Sequence, residues 1–343
     1  MLNFKDVKAL LSSPKRIAIV PHTNPDADAL GSALGLKGYL IKKDHQVKVI
    51  SPTDYPKFLN WMSGHEDVMV LNERNLKKIE LILKDSDIIF CLDFNSMKRI
   101  NRLGPVVEES KALKILVDHH LDPEEFADFS YASIDAAATA ELIYEFIVKL
   151  GDRELIDPSI AENLYAGIMT DTGQFKYKNT TQNVHYVTAN LMELGCDVSK
   201  VGSLIYDTNS YSRLKFLGFA LSQRLTFLEE YKTAYIAINA YDLGRFNSQT
   251  GDTEGLVNYA LSLENVVLGV LISERDDEIK LSLRSKGDFS VNDLAKKHFN
   301  GGGHRNAAGG SSELSFDETI KKFENILKEY KEELNAQVSE FII

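Results

Sequence analysis

The stretch Pro14-Lys15-Arg16-Ile17-Ala18-Ile19-Val20-Pro21-His22-Thr23-Asn24-Pro25-Asp26-Ala27-Asp28-Ala29-Leu30-Gly31 decides the fold. Residues 17–20 are an apolar run without polar interruption, the pattern of a strand buried on both faces. Asn24-Pro25 is a turn signal, and Asp26 or Asp28 can cap the helix that opens at Ala29 and runs over 29–42. The small residues Gly31, Ser32, Ala33 and Gly35 let that helix approach a sheet closely. Apolar runs of the same kind recur at 47–50, 88–92 and 115–117. Helical windows at 76–83, 136–150, 158–170 and 181–194 alternate with them or follow. Strand–helix alternation predicts an α/β fold with a mainly parallel, Rossmann-like sheet and helices on both faces.

Beyond Leu194-Gly195-Cys196-Asp197 the pattern changes. A connecting helix is expected near 210–225. Strands are expected at 235–238, 266–272 and 279–283, helices at 256–263 and 291–298, and a last helix over 316–334 with a solvated Lys/Glu face. The organisation expected is a domain over 1–195, a connecting segment over 196–228 and a smaller α/β C-terminal domain over 229–343, with a cleft between the two domains.

The chain has 343 residues, two domains' worth at about 100–200 residues each. Apolar residues make up 44% and charged residues 26%, which excludes disordered and collagen-like chains. The formal net charge of −11 disfavours binding of long nucleic acid, whose affinity comes from neutralised phosphates, but leaves room for a short nucleotide. The two cysteines, Cys91 and Cys196, lack metal or redox spacing and read as reduced thiols. No apolar stretch reaches membrane-spanning length and the first residues lack a signal-peptide pattern. A cytoplasmic protein without a membrane partner is therefore expected.

Polar residues follow the strands in a pattern. His22, Asp26 and Asp28 follow the first strand. Asp93 follows 88–92, Asp118-His119-His120 follows 113–117, and Asp171 lies at the end of 158–170. Each Asp alone reads first as a cap or turn former. Together they gather at the C-terminal edge of one parallel sheet, where ligands bind in such folds. Converging carboxylates repel one another unless cations neutralise them. Carboxylate plus imidazole suits Mn²⁺, Fe²⁺ or Mg²⁺, and six ligands suit two ions sharing a carboxylate. In the C-terminal half, Gly301-Gly302-Gly303-His304 could cradle a phosphate through backbone N–H groups. Arg284-Ser285 offers a guanidinium fork, and Asp252 a helix cap. The first strand leads to His22-Thr23-Asn24-Pro25 and not to G-x-G-x-x-G, which argues against a dehydrogenase.

His22-x-Asn24-Pro25-Asp26-x-Asp28, the isolated Asp93, Asp118-His119-His120 and Asp171 resemble the motifs of the DHH phosphoesterases. Glu254-Gly255-Leu256-Val257-Asn258, Arg284-Ser285 and Gly301-Gly302-Gly303-His304 resemble the DHH-associated C-terminal domain. The resemblance spans about residues 17–310, with the bacterial nanoRNase / pAp phosphatase subgroup the nearest. It implies one Mn²⁺ held by His22, Asp26 and Asp93, and a second held by Asp28, Asp93, His119 and Asp171. It implies that His120 faces the substrate phosphate, that Asp118 orients an imidazole, and that Arg284, Ser285, residues 301–303 and His304 bind substrate. The activity implied is hydrolysis of short oligoribonucleotides to mononucleotides and of pAp to AMP, with room for a homodimer. Cyclic di-AMP or pApA hydrolysis is the alternative within the superfamily. A manganese-type pyrophosphatase would carry an Arg-Lys-Lys element where this chain has its glycine run. A non-catalytic nucleotide-binding module is the alternative of another class, and the complete ligand set argues against it.

Overall fold

A computed structural model describes residues 3–275 and 278–337. The outer ends of the expected domain ranges, 1–2 and 338–343, lie outside the described residues. The chain divides into two compact units, Met1–Thr208 and Asn209–Ile343.

The first unit holds six strands: β1 (Arg16–Pro21), β2 (Gln46–Ser51), β3 (Met69–Val70), β4 (Ile88–Leu92), β5 (Leu113–Asp118) and β6 (Phe129–Ala132). Their order is β3-β2-β1-β4-β5-β6, and every pairing is parallel. Alternate residues feed two cores. Ile17, Ile19, Phe90 and Ile115 face the core made with helices Ala27–Ile41, Thr139–Leu150 and Pro158–Asp171. Ala18, Val20, Ile89, Cys91 and Leu116 face the core made with helices Leu76–Asp85 and Leu103–Glu109. Helices on both faces explain why these strands carry no polar alternation.

Two close approaches set the first core. A Cβ on Gly31 would stand 2.3 Å from the Asn163 carbonyl oxygen, so the two helices touch backbone to backbone there. A Cβ on Gly167 would stand 2.6 Å from Asp28 Oδ1 and 2.8 Å from Ala140 Cβ.

The second unit is a mixed sheet, β11-β12-β10-β9-β8-β7, made of β7 (Leu225–Leu228), β8 (Thr233–Ile238), β9 (Leu268–Arg275), β10 (Glu278–Ser285), β11 (Gly302–His304) and β12 (Ala307–Ser312). Strands β8 and β9 are parallel and the other pairs antiparallel. It too has a core on each face.

Several expectations change. The segment after Gly195 is no free connection: Val201 and Ile205 of helix Val198–Tyr206 bury in the first unit's core, and the division falls after Thr208. The helix expected over 210–225 is present, α-helical over Tyr211–Phe219 and continuing as a π-helix over Ala220–Arg224, but it leads directly into β7. The last helix breaks near 328–330 into Phe316–Leu327 and Lys331–Ala336. It buries Phe323, Ile326, Leu327 and Leu334, so only part of its surface is solvated. Asp252 does not cap the helix Leu256–Leu261. It accepts from Gln249 N–H in the preceding turn, and Gly255 with φ 81 takes the N-cap position.

Candidate metal centre

His22 leaves the end of β1, Asp93 the end of β4, and His119 and His120 the end of β5. These strands are adjacent and parallel, so all the loops open on one edge. Asp26 caps the helix Ala27–Ile41, its Oδ1 accepting from the N–H groups of Asp28 and Ala29 at 3.0 Å each. The bland reading of Asp26 is thus correct, and it does not compete with ligation, because a carboxylate has a second oxygen. Asp28, in the first turn of that helix, is fully buried and caps a different helix. It accepts from Thr139 N–H at 2.7 Å and Ala140 N–H at 2.8 Å, the opening of Thr139–Leu150. Asp171 is the last residue of its helix and, like Asp26, half-buried.

Within the first unit, three groups of described side chains place their ligand atoms within 4.8 Å of one another: His22, Asp26 and Asp93; Asp28, His119 and Asp171; and Asp93, Asp118 and His120. Asp93 is central. Its Oδ2 is 3.3 Å from His22 Nε2, and its Oδ1 is 3.4 Å from His119 Nε2. His119 Nε2 also stands 3.5 Å from Asp171 and 3.7 Å from Asp28.

The far nitrogens of the rings are tied to carbonyl or carboxylate groups. His22 Nδ1 is 2.7 Å from the Thr23 carbonyl, and His119 Nδ1 is 3.4 Å from the Ala136 carbonyl. An Nδ1–H donating to a carbonyl leaves the Nε2 lone pair aimed at carboxylate oxygens, a repulsive contact unless a proton or cation lies between. His120 Nδ1 is 2.7 Å from Asp118 Oδ1, a hydrogen bond between the two side chains. Asp118 Oδ2 is buried with no hydrogen-bond partner among the described residues.

The protonation states show the same frustration. Burial, reinforced by Asp93, pushes the Asp28 carboxyl up to about 8. Burial, then Asp28 and Asp26, raises Asp171 well above the usual carboxylate range. Burial would raise Asp93 too, but hydrogen bonds from His119 and His22 hold it well below that range. Burial opposes protonation of His119, but Asp93 outweighs it and lifts the ring to about 10. Metal-free, the cluster must retain protons between its ligands, and divalent cations would replace them. The donor set fits hard or borderline divalent ions, not a thiolate zinc site.

Other side chains at this edge lack a sequence signature. Thr139 is fully buried, and its Oγ1 donates to Asp93 Oδ1 at 2.8 Å. With its N–H on Asp28, it ties two of the carboxylates to one helix start. Asn179 Nδ2 reaches the carbonyls of both Asp171 and Ala137. Glu141 accepts from Ala137 N–H at 2.7 Å and so holds the loop that carries Ala136. Thr139 acts through contacts with Asp28 and Asp93, and Asn179 through one with Ala137, all distant along the chain, and only the alternation around them was readable.

The residues expected to bind phosphate lie in the second unit. Arg284 sits on β10, opposite Ala307 of β12, and its Nη1 donates to the Leu283 carbonyl. The Ser285 hydroxyl donates to the Phe289 carbonyl at 2.6 Å and accepts from Asn306 Nδ2, so its one proton is used within the unit. Gly302, Gly303 and His304 form β11, paired with β12, and not an open loop. A Cβ on Gly301 would fall 2.0 Å from the Gly309 carbonyl oxygen, so close backbone packing is one reason for that glycine.

The family model described as DHH family, N-terminal domain, matches residues 16–168, and that of the DHHA1 domain matches 231–336. The chain belongs to the DHH family. It is a phosphoesterase, a hydrolytic enzyme that depends on divalent metal. It is similar to the bifunctional oligoribonuclease and PAP phosphatase NrnA of Thermus thermophilus, 30% identical with 93% of this chain and 90% of that protein covered. It is 27% identical to the probable protein of that name from Streptococcus mutans, covering 96% of this chain and 100% of the relative. The crystal structure of an exopolyphosphatase-related protein from Bacteroides fragilis is 37% identical, with a TM-score of 0.91 and 97% of each chain covered. Among the described residues no helix is long and apolar enough to cross a membrane.

Proposed function

We propose that this enzyme hydrolyses short oligoribonucleotides to mononucleotides and removes the 3′-phosphate of pAp to give AMP, using two Mn²⁺ ions. The position of Asp93 carries this reading: one oxygen lies 3.3 Å from His22 Nε2 and the other 3.4 Å from His119 Nε2. In it His22, Asp26 and Asp93 hold one ion, Asp28, Asp93, His119 and Asp171 hold the other, and Asp93 belongs to both. Bound there, the ions would supply Lewis-acid stabilisation of phosphate charge and a water acidic enough to react at neutral pH. The side chains do the rest. Thr139 and the start of its helix hold Asp28 and Asp93 in place. Asp118 accepts from His120 Nδ1 and leaves Nε2 to exchange a proton at the substrate phosphate. Arg284, residues 301–303 and His304 bind the substrate's phosphates, and Ser285 braces the turn beside them.

The relatives named as oligoribonuclease and PAP phosphatase support the substrate class. The net charge of −11 supports short over long strands. A cytoplasmic setting belongs to the same proposal. The test is product formation with Mn²⁺ from a linear dinucleotide, pAp, cyclic di-AMP, pyrophosphate and a long single strand. Mononucleotide from the dinucleotide and AMP from pAp are expected. Both should fall more than about a hundredfold in Asp93→Ala, since even a residue that only orients a ligand is worth 10–100-fold. Preferential opening of cyclic di-AMP, or efficient degradation of the long strand, would replace the substrate assignment.

A further inference from the structure

Arg99 lies in the short 3-10 helix Met97–Ile100, which follows Asp93. Its carbonyl accepts from Thr23 N–H at 2.8 Å, which fastens this helix to the residue after His22. The side chain is half-buried, and among the described residues its guanidinium has no hydrogen-bond or ion-pair partner. Of the other arginines of the first unit, Arg16 pairs with Asp87, Arg102 with Glu73 and Arg153 with Glu193, while Arg74 is exposed to solvent. Arg99 nevertheless has electrostatic neighbours. Its charge works against protonation of both His22 and His120, which leave the ends of different strands.

A fixed cation here is costly. It repels divalent ions from the ligand cluster beside it, and no carboxylate neutralises it directly. A half-buried guanidinium without a partner also forgoes hydrogen bonds it would make in water. Both costs are relieved when an anion arrives between Arg99 and the ligand cluster. In a phosphoesterase that anion is the substrate phosphate. A guanidinium fork matches two oxygens of a phosphate, which an ammonium cannot do.

We propose that Arg99 is a substrate-binding residue of this centre, its guanidinium taking non-bridging oxygens of the substrate phosphate on the side of His22 and His120. The inference deepens the reading of the site as a phosphoesterase centre and rests on it. It does not depend on which nucleotide is cleaved.

The test uses the full chain loaded with Mn²⁺ and inorganic phosphate as the probe. Arg99→Ala and Arg99→Met, which keeps much of the side chain's bulk, should weaken phosphate binding by titration calorimetry about tenfold or more. Arg99→Lys should restore part of it. Mn²⁺ affinity, measured without phosphate, should be unchanged or tighter, because a repulsive charge has been removed. On whichever substrate of the panel is turned over, the Ala and Met variants should lose kcat/KM by a similar factor. Unchanged phosphate affinity in both would overturn the proposal. A tenfold loss of Mn²⁺ affinity would overturn it as well, since Arg99 would then act through the ligands. If the wild type hydrolyses no dinucleotide, the substrate assignment fails while the phosphate titration still decides the role of Arg99.

Discussion

Asp93 follows β4 with φ 64, a left-handed conformation that costs a residue with a side chain on the order of 1–3 kcal/mol. Asp tolerates it better than most residues, and here the strain falls on the carboxylate common to two ligand groups. The cluster around it makes a pH prediction. Asp28 titrates at about 8 against its ordinary 3.8, and His119 at about 10 against 6.5. Both values are raised by folding. A raised group contributes its stability in full below the unfolded value and loses it as pH climbs to the folded value. The metal-free protein should therefore lose stability from about pH 4 to 8 through Asp28, and further from about 6.5 to 10 through His119. Metal displaces those protons, so the rise in Tm on adding Mn²⁺ should grow with pH. Melting curves with EDTA and with Mn²⁺ across that range measure it. A gain that shrinks as pH rises would count against the cluster as the metal centre.

At the scale of elements, the helices Ala27–Ile41, Thr139–Leu150 and Pro158–Asp171 form the wall behind the carboxylates. Their spacing depends on a few missing side chains. Gly31→Ala sets a methyl against backbone, the Asn163 carbonyl, and should cost about 1–3 kcal/mol in urea unfolding. Gly35→Ala meets only the Leu164 side chain, which can shift, and should cost less. Gly167→Ala presses on Asp28 itself and should lower Mn²⁺ affinity as well as stability. Equal losses at Gly31 and Gly35 would show that the helices part freely. The same scale explains which elements were readable. Strands β1, β4 and β5 announce themselves as apolar runs because both faces are covered, whereas β2 alternates at its start, with Gln46 and Lys48 exposed. Strand β3 is too short to carry a pattern. Strands β11 and β12 are rich in glycine and alanine, whose strand preference is low, so only pairing across the hairpin forms them.

At the scale of the molecule, each unit has its own sheet with cores on both faces, and the division falls in a run of exposed residues at 206–210. Limited proteolysis should cut there first and leave two resistant fragments. Calorimetry should resolve two transitions, of which Mn²⁺ raises only the one belonging to residues 1–208, where all the proposed ligands lie. A single transition shifted as a whole would show that the units unfold as one. The expected boundary at 195 missed because Val201 and Ile205 look like any amphipathic helix. Which core receives that helix depends on residues far away in the chain.

What the sequence determined by itself was local in origin. Uninterrupted apolar runs mark strands covered on both faces, and a polar residue directly after such a run must emerge at the strand's C-terminal end. With a parallel sheet, that places His22, Asp93, His119 and His120 at one edge. The tertiary structure alone decided the rest. Thr139 meets Asp28 and Asp93 from distant positions in the chain, the Arg99 guanidinium lacks a partner beside His22 and His120, and the glycine run pairs as a strand. Each of these depends on contacts between remote segments, and the free energy that selects them belongs to the packed whole and not to any window of residues.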